Sequence, residues 1–260
     1  MIKTTSLIPV LALLSFAVQA QDANIAADPN RMKARIDALG EFGKNPQGGV
    51  SRIAYSDADI AGRRYITVLM RGAGLEVRVD TAGNLIGRRE GSEDGLPPIM
   101  IGSHIDSVPG GGNYDGDVGV IGAIEVAQLL HERGMVTRHP IEVISFTDEE
   151  GGLVGSRAMV GKMTDAALGV VSHSGMTVRD GIRHVGGDPD RLAFAERKAG
   201  DIKAFIELHI EQGAILYEEV VDIGVVEGIV GIRWWDIVIE GFANHAGTTP
   251  MNRRWDAMVT

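Results

Sequence analysis

No cysteine occurs anywhere in the chain, which removes disulfides and thiolate metal ligands together. Any metal it holds is bound by histidine, aspartate and glutamate. The absence suits an oxidising and a reducing compartment equally. Basic charge is scarce as well: 25 Lys and Arg stand against 35 Asp and Glu, a net charge of −10. Aromatic residues make up 5% of the chain, and nowhere do they interleave with a basic patch. Nucleic acid and anionic membrane surfaces are thereby excluded as partners.

Long apolar runs are missing too. The one candidate, Leu7 to Val18, is too short to span a bilayer. Lys3 precedes it and Val18-Gln19-Ala20 follows it, the layout of an export signal over residues 1–20. The expectation is a periplasmic or secreted protein with no membrane anchor once the chain is cut near Gln21. With 44% hydrophobic residues, the chain can build the core of a soluble globular protein.

Beyond that signal the spacing of apolar residues predicts alternating helices and strands. Met32, Ile36 and Leu39 mark a helix over Pro29–Phe42. Asp57 is placed to cap a second helix running to Arg71, with Ile60, Tyr65, Val68 and Leu69 on its buried face. Two short strands, Leu75–Val79 and Asn84–Arg88, flank a turn at Thr81-Ala82-Gly83. Val120, Ile124, Ala127 and Leu130 give a helix over Gly116–Arg133, stopped by Gly134. Ile99–Ile101, Ile141–Phe146 and Lys203–Leu208 are nearly continuous apolar runs, as expected of strands covered on both faces. Further helices are expected near Gly155–Gly161 and after Pro189. From Glu227 the character shifts, and Ile229–Phe242 alternates like a half-exposed antiparallel strand leading to a helix from Asn252. The fold class is α/β, with residues 21–226 in one domain and 227–260 beginning another.

Ionisable residues gather where the three apolar runs end. The first leads into His104 and Asp106, and a Gly-rich loop then delivers Asp115 to the head of a helix. The second ends in Asp148-Glu149-Glu150, the third in His209-Ile210-Glu211-Gln212. Open α/β sheets place their chemistry at such strand ends. Asp106, two residues beyond His104 and so on the same side of an extended chain, is placed to hold its ring. A single H-x-D or acidic strand end is commonplace on protein surfaces; three coinciding ends make a site. His104, Asp115, Glu150 and His209 are the candidate ligands, with Glu149 as an adjacent free carboxylate able to take a proton from water. A mixed nitrogen and oxygen set suits zinc, manganese or cobalt in a hydrolytic centre. His131, His139, His173 and His184 read as surface or loop histidines.

GSHIDS with NYDG, FTDEEG, ELHIEQG and GFANHAGTTPM, in this order, resemble the M20-type dinuclear metal hydrolases. Within these the chain resembles the branch of N-carbamoyl-L-amino-acid hydrolases, β-ureidopropionases and allantoate amidohydrolases. GGVSR at 48–52 and the stretches 74–91 and 224–235 resemble that branch as well. The resemblance runs from Arg31 to Thr260, and HIEQG and HAGTTPM separate the branch from general M20 peptidases. It implies two divalent metals, zinc or manganese with cobalt a third choice, bridged by Asp115. His104 and His209 would bind one ion and Glu150 the other. The resemblance further implies Glu149 as general base and Gln212 as a substrate contact. Asn244 and His245 would act as oxyanion donors that complete the site of a partner subunit, hence a homodimer. The implied architecture is a mixed-sheet hydrolase domain carrying an inserted, smaller α/β lid and dimerisation domain. The implied reaction is hydrolysis of a linear amide C–N bond in a small N-carbamoyl or ureido acid. By the same resemblance the chain stops inside the lid, short of a last histidine ligand and of contacts to the substrate carboxylate. Two other readings stay open: a non-catalytic fragment binding one metal through His104, Asp115 and His209, and an M20 dipeptidase.

Overall fold

The structure is a computed structural model that describes residues 25–231, 233 and 235–258. The expected export signal, residues 1–20, lies outside the described residues. No helix among those described is long and apolar enough to cross a membrane. The chain divides into two compact units between Gln212 and Gly213, earlier than the boundary expected at 226–227.

In the first unit, α1 (Pro29–Gly40) is capped by Asp28, whose side chain accepts from the Asn30 and Arg31 amides. α2 (Asp57–Gly72) is capped by Ser56 rather than by Asp57, the Ser56 side chain accepting from the Asp59 amide. β1 (Glu76–Val79) and β2 (Leu85–Arg89) form an antiparallel hairpin. β3 (Ile99–His104), α3 (Asp117–Glu132) and β4 (Ile141–Phe146) make a βαβ unit with parallel strands. After β4 the short helices α4 (Glu149–Gly152), α5 (Val154–Met159), α6 (Asp165–Leu168) and α7 (Val178–His184) lead to a 3-10 segment, Pro189–Ala195. β5 (Ala204–Ile206) then joins β3 in parallel. The sheet order is β1-β2-β4-β3-β5, with β2 antiparallel to β4. The mixed α/β class is as expected.

β4 lies in the middle, and all six of its residues are buried, which accounts for its continuous apolar sequence. Alternate residues serve opposite cores. Val143 joins Leu85 and residues of the three long helices, among them Leu39, Ile66 and Ile124. Ile144 and Phe146 join Ile86, Met100 and Met159 on the other face.

Two expectations about burial fail in this unit. The buried stripe of α2 is Asp59, Gly62, Arg63, Ile66 and Met70, while Val68 is 66% exposed. The stripe keeps helical spacing but runs through two charged residues that find partners inside, so a hydrophobic pattern misplaces it: Asp59 accepts from the Tyr55 amide at 2.8 Å, and Arg63 donates to the Gly83 carbonyl. Lys203–Leu208 pairs only over Ala204–Ile206, and those three residues are exposed. Among the described residues β5 is the edge of the sheet, with a neighbour on one side, and apolar composition does not report that.

The second unit holds α8 (Ile215–Glu218) and a 3-10 turn, Met251–Arg253, where a helix was expected. The segment 229–242 forms no strand among the described residues. An alternating pattern becomes a strand only against a paired neighbour; among the described residues the Phe242 amide donates to the Trp255 carbonyl at 2.8 Å.

Two buried ionic contacts fasten the helical layer of the first unit. Arg52, 1% exposed, donates to both carboxylate oxygens of Asp117 at 2.6 and 2.8 Å, and to the carbonyls of Ile105, Leu39 and Phe42. On α3, Glu125 accepts from Arg31 at 2.7 and 2.8 Å, from Arg35 at 3.3 Å and from the Asp28 amide at 3.0 Å. Burial alone would raise the Glu125 carboxyl, but Arg31 and the Asp28 amide hold it below its ordinary 4.5.

Arg52→Met strands the Asp117 carboxylate in the core, and a loss of about 3–5 kcal/mol is expected by denaturant unfolding. A loss below about 1 kcal/mol would show that the pair is dispensable. For Glu125→Gln the expected loss is about 1–3 kcal/mol at neutral pH. Because the folded carboxyl titrates lower than the unfolded one, this contribution is present above the unfolded value and disappears as pH falls through the folded one. Parent and variant unfolding curves should converge as the pH falls below the folded value of the Glu125 carboxyl; a gap independent of pH would contradict the ionic account.

Candidate metal centre

The parallel direction of β3, β4 and β5 puts their C-terminal ends at one edge of the sheet. His104 is the last residue of β3, and it pairs with Phe146 of β4. Two residues after Phe146 the chain turns at Asp148, which has a left-handed backbone with φ 49°. Glu149 and Glu150 then sit in the first turn of α4, so they project about 100° apart and not to opposite faces as on a strand. From the third strand the chain continues to His209 and to Gln212, also left-handed at φ 52°. Asp115 arrives from the loop before α3. Gly116, at φ 66°, lets that loop lie against His104: a Cβ there would come within 2.6 Å of the imidazole.

His104, Asp115 and His209 each offer a ligand atom within 4.8 Å of the others. Asp115 Oδ1 lies 3.1 Å from His209 Nε2 and 3.8 Å from His104 Nε2. Each ring is held from its other nitrogen, His104 Nδ1 by the Asp106 carbonyl at 3.0 Å and His209 Nδ1 by the Ile210 carbonyl at 2.9 Å. A carbonyl only accepts, so both rings donate from Nδ1 and, when neutral, turn an Nε2 lone pair towards Asp115. Asp115 Oδ1 and Glu150 Oε1 are buried and have no hydrogen-bond partner among the described residues. Converging lone pairs and orphaned carboxylate oxygens are a donor set that fits a divalent cation.

Of the remaining expected residues, Glu149 Oε2 stands 3.7 Å from His104 Nε2, outside the three-ligand cluster. Glu150 is not in that cluster either; burial, then the neighbouring Asp115 charge, raises its carboxyl. Asp106 does hold the His104 ring, but with its backbone carbonyl. Its carboxylate stays 3.8 Å away from Nδ1 and accepts from the Glu150 amide at 3.1 Å, tying the β3 end to the β4 end. Burial lowers the basicity of His104, and the Asp106 and Glu149 charges reverse this, so that its net shift is upward from 6.5. Gln212 donates to Asp115 Oδ2 at 2.7 Å, a contact that spacing alone does not predict. Arg52, which fixes the start of α3, ends the GGVSR stretch that resembles the family branch, but nothing in that stretch assigned it a role.

Asn244 and His245 belong to the second unit. There His245 Nδ1 accepts from the Gly247 and Thr248 amides at 3.1 and 3.2 Å, which leaves its Nε2 as an N–H donor. Arg254 donates to the Thr249 carbonyl at 2.9 Å and to the Ala246 carbonyl, closing the loop on itself.

A mixed sheet that brings two imidazoles and a carboxylate to the ends of its parallel strands defines an α/β protein with a site suited to a divalent metal. The chain belongs to peptidase family M20/M25/M40, which it matches over residues 100–258. It is 46% identical over 234 residues to an N-carbamoyl-L-amino acid amidohydrolase of Geobacillus stearothermophilus, covering 88% of this chain and 57% of that one. It is 39% identical to a ureidoglycolate hydrolase of Oryza sativa, over 88% of this chain and 49% of the other. A solved hydantoinase/carbamoylase family amidase from Burkholderia ambifaria superposes with a TM-score of 0.73 at 36% identity, over 90% of this chain and 58% of the amidase. The chain spans about half the length of the curated relatives it matches.

If the three side chains hold one ion, Asp115→Asn and His209→Ala should each weaken cobalt(II) binding by at least the roughly 10–100-fold that loss of a residue supporting a ligand brings, in calorimetric titration. A free ion concentration of about 100 times Kd should stabilise the parent against unfolding by about 2.7 kcal/mol and neither variant to that extent. Equal affinity in all three proteins would dissolve the site.

Proposed function

We propose that this chain carries the metal-binding part of an amidohydrolase that cleaves a linear amide C–N bond in a small N-carbamoyl or ureido acid. One observation carries the reading: a carboxylate, Glu149, stands beside the three-ligand cluster without belonging to it, where a base for the attacking water is needed. The substrate class is taken from two of the relatives named above, the N-carbamoyl-L-amino acid amidohydrolase and the ureidoglycolate hydrolase.

His104, Asp115 and His209 would hold one divalent ion, and Glu150 with Asp115 a second, zinc or manganese by the chemistry of the donors. Such ions supply Lewis acidity to the amide carbonyl and lower the pKa of water. Glu149 takes a proton from the attacking water, the water oxygen bonds to the carbonyl carbon, and the C–N bond breaks as Glu149 returns the proton to the leaving nitrogen. Gln212, an amide donor to Asp115 Oδ2, would contact substrate. His245, as an Nε2–H donor, and Asn244 would serve as oxyanion donors in a homodimer. Export is part of the same proposal.

Glu149→Gln is expected to lower kcat on an N-carbamoyl amino acid by about 10²–10⁴-fold while metal content stays at the parent value. Turnover that survives the substitution would remove Glu149 from the role of base. Presenting a dipeptide beside the N-carbamoyl amino acid tests the substrate class, and faster cleavage of the dipeptide would make the protein a peptidase.

A further inference from the structure

α4 carries Glu149 and Glu150 but is only four residues long. One turn of helix has too few internal hydrogen bonds to hold its own direction, so the aim of the two glutamates is decided where the chain enters and leaves the stretch 147–155. Both ends meet a side chain that the site as described does not use, Asn84.

Asn84 is fully buried and stands between the turn at Thr81-Ala82-Gly83 and the start of β2. Backbone pairing of β2 with β4 reaches Leu85 opposite Ser145. One step further along, the Asn84 carboxamide takes over the role of a peptide group. Its Oδ1 accepts from the Thr147 amide at 3.0 Å, and its Nδ2 donates to the Gly155 carbonyl at 3.3 Å. Nδ2 also donates to Asp80 Oδ2 at 2.9 Å. The donor end faces two acceptors and the acceptor end faces a donor, which leaves the carboxamide one orientation. The Gly155 amide donates to the Thr147 carbonyl at 2.8 Å, so the two ends close on each other as well as on Asn84.

Neither the hairpin nor packing calls for this side chain. The turn is closed without it: Asp80 Oδ1 accepts from the Ala82 and Asn84 amides at 2.9 Å, and the Asp80 amide donates to the Asn84 carbonyl at 3.0 Å. Packing alone would be met by an apolar side chain of the same shape, without the cost of burying a carboxamide. Gly155 is matched to the contact. It lies in α5, where the backbone suits any residue, yet a Cβ there would overlap Asn84 Oδ1.

We propose that Asn84 is a positioning residue: its carboxamide clamps both ends of 147–155 and so holds Glu149 and Glu150 towards the metal centre. This rests on the reading that those two glutamates work there.

The test uses Asn84→Ala and Asn84→Asp in the full chain, read by hydrogen exchange and by turnover. In Asn84→Ala, exchange at amides 147 and 152–155 should quicken about tenfold more than at the amides of β3, the difference separating local release from lost global stability. Asn84→Asp keeps an oxygen for the Thr147 amide and loses the donor to Gly155. There protection at amide 147 should return while amides 152–155 stay quickened. On an N-carbamoyl amino acid, kcat of Asn84→Ala should fall about tenfold with KM within about twofold of the parent. Exchange at 147–155 that rises only in step with β3 overturns the proposal, as does unchanged kcat beside quickened exchange. If Asn84→Ala does not fold, amides 152–155 of Asn84→Asp decide by the same comparison, and failure of both to fold marks a packing role and overturns it too. Exchange needs no substrate: if the parent hydrolyses no N-carbamoyl amino acid, the functional reading fails and the clamp is still decided by exchange.

Discussion

The buried guanidinium of Arg52 is the contact on which the metal centre depends. It has five N–H donors, and the structure gives it five acceptors: both oxygens of Asp117 and the carbonyls of Ile105, Leu39 and Phe42. Full satisfaction is what makes a charge tolerable in a core. The acceptors come from three separate stretches of chain, and two of them border the site. Ile105 follows His104, and Asp117 lies two residues beyond Asp115. A single cation therefore fixes the strand end that carries an imidazole relative to the loop that carries a carboxylate, and it anchors the first turn of α3 as well.

Topology does the rest of the gathering. His104 and His209 are far apart in sequence, yet β3 and β5 are direct parallel neighbours, with Ile101 opposite Ile206. The rings meet with centroids 5.8 Å apart. On its other side β3 runs beside β4, so the acidic turn after Phe146 opens at the same edge. Asp106 then reinforces the join from both of its polar groups, carbonyl to His104 and carboxylate to the Glu150 amide. The sheet brings the residues to one edge, and these contacts set their spacing to within ligand distance.

Much of this was legible in the chain. β4 and α3 announce themselves through uninterrupted or helically spaced apolar residues, and His104, Asp115 and His209 through their positions just past apolar runs. What escaped has a common cause: it depends on partners distant in sequence. The inner stripe of α2 contains Arg63, which is buried against the Gly83 carbonyl and the Thr147 hydroxyl. Lys203–Leu208 looks like a central strand, because composition does not say whether a second neighbour exists. Spacing placed Asp106 beside His104, but which of its two polar groups would do the holding depended on the Glu150 amide across the sheet. Arg52 stands in a stretch, GGVSR, that resembles the family branch but whose local pattern says nothing of a buried ion pair with Asp117.

The converging donors of the centre also explain why it needs so stiff a frame. With both imidazoles donating from Nδ1, their Nε2 lone pairs and Asp115 Oδ1 present negative potential to one another across 3.1 and 3.8 Å. Glu149 adds a carboxylate at 3.7 Å from His104. Acceptors at such distances repel, and the repulsion is relieved by a shared cation or by a proton on an imidazole. The upward shift of His104 is the proton's half of that competition. A flexible loop would escape by rotating its side chains apart. Here the rings are pinned through Nδ1, Asp115 Oδ2 is pinned by Gln212, and the glutamates are pinned by a left-handed turn, so the groups stay converged. Local strain at Asp148 and Gln212 is the counterpart of that convergence, and it is stable only because the Arg52 pair and the doubly covered sheet hold the surrounding chain in place.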